Sequence, residues 1–124
     1  MVLKILFVSK NLIFRTPFNG NIELAQLLDE KNIIISFITE LELLSKPGLT
    51  LAEKKIIKSF LNDCTIYDIN AIIKDRVIDL KQSIKIKLPD AIIASTALWL
   101  NVPLVSADAD MKKIKSLNLI SIEF

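Results

Sequence analysis

The sequence predicts an α/β fold with a central, mainly parallel sheet of about five strands, and two observations carry that reading. Five short runs rich in β-branched residues are apolar almost throughout instead of alternating with polar positions, as strands covered on both faces require. Between them lie segments whose apolar residues recur at helical spacing, so strand and helix alternate along the chain. With 124 residues, 52% of them hydrophobic, positions 1–124 are read as one domain with one core.

The first strand is Lys4–Val8. It carries Lys4 and is followed by Lys10 with no small-residue cleavage site, so it reads as a strand and not as a signal peptide. The remaining strands are predicted at Ile33–Ile38, Thr65–Ile69, Leu104–Ser106 and Leu119–Ile122. Helices are predicted at Ile22–Lys31, Leu51–Leu61, Ala71–Gln82 and Asp90–Leu100. Their start signals are Thr39 with Glu42, Thr50 with Glu53, Asn70 before Ala71, and Pro89 at a first helical position. Pro47-Gly48 marks a turn. Ala91–Ala107 is uncharged and has the length of a minimal membrane span, but Ser95, Thr96, Asn101 and Pro103 interrupt it, so it reads as a buried helix and a strand.

Composition excludes several chemistries. There is no histidine, which removes the Ser-His-Asp triad, the Cys-His pair and the histidine zinc site. Two isolated glycines, Gly20 and Gly48, cannot build a phosphate-cradling loop. Cys64 is the one cysteine, set among Phe60, Leu61 and Ile66, and reads as a core position in a protein of the reducing cytoplasm. A formal charge of +2 neither demands nor excludes nucleic acid. The lysine groups Lys54-Lys55-Lys58 and Lys112-Lys113-Lys115 read first as solvated helix faces, and second as RNA-backbone contacts.

Any catalysis must therefore use carboxylates, lysines or hydroxyls. In open α/β sheets ligands gather at the carboxyl ends of the strands. Glu42 follows the second strand by one helical turn, Asp90 opens a helix, and Asp108 follows the fourth strand. Carboxylates gathered there without thiolate or imidazole select Mg²⁺ or Mn²⁺, an arrangement suited to phosphodiester hydrolysis. Each acid also has a plain structural reading: Glu42 completes a capping box with Thr39, Asp90 complements a helix dipole, and Asp108 caps the short helix after it. Asp110 is either a further ligand or an exposed turn residue, the latter slightly favoured.

Three segments resemble the PIN domain family and, within it, the VapC-like toxin ribonucleases. Ile35–Ser45 (ISFITELELLS) is similar to the family's strand followed by Thr-x-x-Glu-Leu. Lys87–Ala97 (KLPDAIIASTA) is similar to its Leu-Pro-Asp-Ala helix and is the more specific match, and Leu104–Met111 (LVSADADM) is similar to its Leu-Val-Thr-x-Asp-x-Asp-Phe. The resemblance implies a three-layer α/β/α fold, Mg²⁺- or Mn²⁺-dependent cleavage of RNA, a homodimer, and a small antitoxin partner that covers the acidic pocket. It carries the metal-binding and catalytic roles onto Glu42, Asp90 and Asp108, with Asp110 auxiliary and Ser106 supporting. No membrane association is implied.

One departure bears on activity. Where the family has Asp-Thr-Asn or Asp-Ser-Asn after the first strand, this chain reads Ser9-Lys10-Asn11, so Asn11 matches and Ser9 replaces the first aspartate. The site loses one negative charge and Lys10 adds an opposing one. Three accounts stand: a silent member that binds RNA or a partner, a nuclease of reduced activity working through the remaining acids, or an engineered inactivation. A receiver-like signalling domain shares the α/β pattern, but its central strand offers only Asp68.

Overall fold

The computed structural model of the protein describes residues 5–8, 32–106 and 108–121. The predicted helix Ile22–Lys31 and the site positions Ser9 and Asn11 lie outside them. Five strands, β1 (Ile5–Val8), β2 (Asn32–Ser36), β3 (Thr65–Tyr67), β4 (Leu104–Ser106) and β5 (Leu119–Ser121), form one sheet in the order β3-β2-β1-β4-β5. Every pairing is parallel, with Phe7 opposite both Ile34 and Leu104, and Val8 opposite Val105. The order reverses between β1 and β4, which makes their carboxyl ends the switch point of the sheet.

Four α-helices are described: α1 (Phe37–Leu44), α2 (Leu51–Asn62), α3 (Ala71–Ser83) and α4 (Leu88–Leu100). A 3-10 helix, Ala109–Lys113, follows β4. Alternate strand residues sort the helices onto opposite faces. Ile34 and Leu104 pack in a core with Ile73 and Val77 of α3 and Ala91, Ile93, Ala94 and Ala97 of α4. Ile33, Ile35 and Val105 pack in a second core with Leu43 of α1 and Ile57 and Leu61 of α2. The expected three-layer α/β/α fold is thus built by strands that bury both of their faces.

Two of the four start signals act as read. Thr50 Oγ1 accepts from the Glu53 amide at 3.1 Å and Asn70 Oδ1 from the Ile73 amide at 2.8 Å. Gly48 takes φ +79° in the Pro47-Gly48 turn. Two of the boundaries that differ bear on the site. The second strand ends at Ser36, whose hydroxyl accepts from the Ile38 amide at 3.2 Å and starts α1 there. Thr39 therefore lies inside the helix, fully buried and with no hydrogen-bond partner for its hydroxyl among the described residues, and the capping box with Glu42 does not form. Helix α4 begins at Leu88, which puts Pro89 second and Asp90 third, positions where a missing amide hydrogen is tolerated. It ends on Asn101 in the left-handed region (φ 55°), and no described helix is long and apolar enough to cross a membrane.

Candidate metal centre

Local chemistry sets each acid on the switch-point edge. Asn101–Pro103 joins the end of α4 to the start of β4, so the helix begins at the carboxyl edge of the sheet and delivers Asp90 there. At the end of β4, the fully buried Ser106 accepts from the Asp108 amide through Oγ at 3.0 Å. Asp108 in turn accepts from the Asp110 amide through Oδ1 at 2.9 Å and caps the 3-10 helix, as its structural reading expected. Met111, next along, is 1% exposed and anchors that short helix in the core.

These constraints bring three acids together. Asp90, Asp108 and Asp110 each offer a carboxylate oxygen, and the three oxygens lie within 4.8 Å of one another. All three residues are half-buried. Burial, then the charge of Asp108 and a hydrogen bond with it, then the charge of Glu42, push the Asp90 carboxyl up to about 6 against the opposing pull of Lys87. Glu42, on α1, stands outside the tight group but its charge reaches Asp90. Asp110 is more than the exposed turn residue favoured from sequence, since its carboxylate joins the cluster.

Two cations at this edge escaped the motif reading. Lys87, just ahead of α4, acts on Asp90, and the Lys113 ammonium sits 3.1 Å from Asp110 Oδ1. The three-residue spacing of Asp110 and Lys113 was a usable signal for the second pair. The lysines of both sequence groups are exposed, as solvated faces would be. Cys64 is half-buried against the second core, donates to the Phe60 carbonyl oxygen at 3.3 Å, and is pushed up to about 11 by burial and Asp63, so it is an inert thiol.

A family model described as PIN domain matches residues 12–117. The chain belongs to the PIN domain family. This PIN domain is similar in structure to a toxin-antitoxin complex from Klebsiella pneumoniae, at 26% identity and a TM-score of 0.79, covering 94% of this chain and 96% of that one. VapBC2 from Rickettsia felis, bound to a DNA fragment from their promoter, matches at 23% identity and a TM-score of 0.83, over 96% and 99%. FitAcB from Neisseria gonorrhoeae matches at 17% identity and a TM-score of 0.78, over 94% and 96%. The last two likenesses are of fold alone. No curated protein matches the sequence significantly.

Proposed function

We propose that this PIN domain is a metal-dependent endoribonuclease, the toxin of a toxin-antitoxin pair, with an active site weakened by Ser9 and Lys10. The observation that carries this reading is the convergence of Asp90, Asp108 and Asp110 at the switch point of the sheet. The donor set fits a hard divalent cation: it is all oxygen, and Asp90 holds its proton up to about pH 6 because burial penalises its charge and the carboxylates of Asp108 and Glu42 add to that penalty. Asp90, Asp108 and Asp110 would hold Mg²⁺ or Mn²⁺, with Glu42 adding negative charge that reaches Asp90. The ion, when bound, supplies an activated water and charge for the phosphodiester.

The remaining work belongs to the chain. Ser106 fixes the Asp108 backbone and Met111 holds the following turn, so two of the carboxylates are presented from a rigid base. Asp90 comes from a helix whose first turn favours its ionised form once a cation is near. The partners that follow from this reading are an RNA substrate, a small antitoxin over the acidic edge and a second copy of the chain. Its setting is the cytoplasm.

A second reading, a silent PIN fold that binds RNA or an antitoxin without cutting, is favoured by Ser9 and Lys10 standing where the family carries an acid and a small hydroxyl residue. Calorimetric titration of Mn²⁺ into the wild type, Ser9→Asp and Asp90→Asn, with RNA cleavage assayed on the same samples, separates the two. Metal binding and cleavage by the wild type that Asp90→Asn abolishes supports the nuclease. Binding and cleavage by Ser9→Asp alone supports the silent fold.

A further inference from the structure

The acidic cluster already holds a cation of its own. The Lys113 ammonium lies 3.1 Å from Asp110 Oδ1 and donates to the Lys85 carbonyl oxygen at 3.2 Å. Lys113 closes the 3-10 helix that carries Asp110, whereas Lys85 lies in the segment that leads into α4 and Asp90. One ammonium therefore ties together the two stretches of chain that deliver the acids. Asp110 and Lys113 are 43% and 47% exposed, so water competes for both groups and the pair is cheap to open.

We propose that Lys113 is a built-in counter-ion of the acidic cluster, which holds Asp110 and lowers the affinity of the site for a divalent cation. This rests on the metal-dependent reading above. A positive charge on one carboxylate of a three-carboxylate group repels an incoming dication. With Ser9 in place of an acid, the chain has both fewer carboxylates and a resident ammonium, two changes that act in the same direction.

The test is calorimetric titration of Mn²⁺ into the full chain as wild type, Lys113→Met and Lys113→Arg, with circular dichroism of each variant confirming the fold. Lys113→Met keeps the aliphatic stem and removes the charge, and is expected to bind Mn²⁺ roughly fivefold more tightly at low salt, with Lys113→Arg close to wild type. The gain should shrink at about 0.5 M salt, which a purely structural tether would not do. Equal or weaker binding by Lys113→Met, or an equal gain in Lys113→Arg, overturns the inference. RNA cleavage by proteins of equal Mn²⁺ affinity removes this inference and leaves the nuclease standing. Tighter binding by Lys113→Met with no cleavage by any protein does the reverse, and no Mn²⁺ binding by any of the three removes both.

Discussion

Asp90 stands in the first turn of helix α4 and Asp108 follows the strand that this helix leads into, yet their carboxylates approach within 4.8 Å and share a hydrogen bond. Two like charges that close, half out of water, cannot both ionise freely. The pair stands in a protonation state that a cation would change, and its consequences can be measured.

The first is in stability. Asp90 titrates at about 6 in the folded protein against an ordinary 3.8, so the folded state binds this proton more readily than the unfolded chain does. Its unfavourable contribution is absent below the unfolded value and grows as pH rises through about 6. Asp90→Asn should therefore stabilise the metal-free protein at about pH 8, by about 1 kcal/mol once solvent screening is allowed for, and give no gain at about pH 3.5. Thermal melts in chelator at the two pH values check this; an equal difference at both would remove the proton linkage.

Added Mn²⁺ should raise the melting temperature more at about pH 8 than at about pH 5, because a cation and a proton compete for Asp90. Melts across a Mn²⁺ series at each pH give the answer. A shift that ignores pH would place the binding elsewhere.

Met111 is buried directly beside Asp110, so Met111→Ala should cost about 3 kcal/mol and also weaken Mn²⁺ binding. Thr50→Ala removes a cap on α2 instead, and should cost about 1 kcal/mol with metal affinity unchanged. Urea unfolding paired with calorimetry distinguishes the two. If both variants lost affinity alike, the anchoring role of Met111 would fail.

The hydroxyls of Thr39 and Ser95 are fully buried without hydrogen-bond partners among the described residues. Replacing each with an apolar residue of similar size should be neutral or stabilising by up to about 1 kcal/mol. Thr39→Val and Ser95→Ala, measured by urea unfolding, test this. A loss above about 1 kcal/mol would reveal a partner for the hydroxyl.

Much of the fold was legible because its signals are local. The apolar runs at Ile33–Ile35 and Leu104–Val105 announce strands covered on both sides, and both faces are filled. Thr50, Asn70 and Asp108 cap as read, since a cap needs only the residues of its own first turn. Thr39 was misread because Ser36 offers the same hydroxyl three residues earlier, and the burial of Thr39 against the core favoured the earlier start.

By itself the sequence determined the strand and helix alternation, the absence of imidazole chemistry and the residue types available for a hard-cation site. Only the tertiary structure decided that Asp110 stands with Asp90 and Asp108, that Asp90 keeps its proton to about 6, and that Lys113 reaches the Lys85 carbonyl. Periodicity and caps are written within a few residues and need no distant partner. Carboxylate spacing and desolvation depend on how α4 and the turn after β4 come to the same edge of the sheet, which only the packed core specifies.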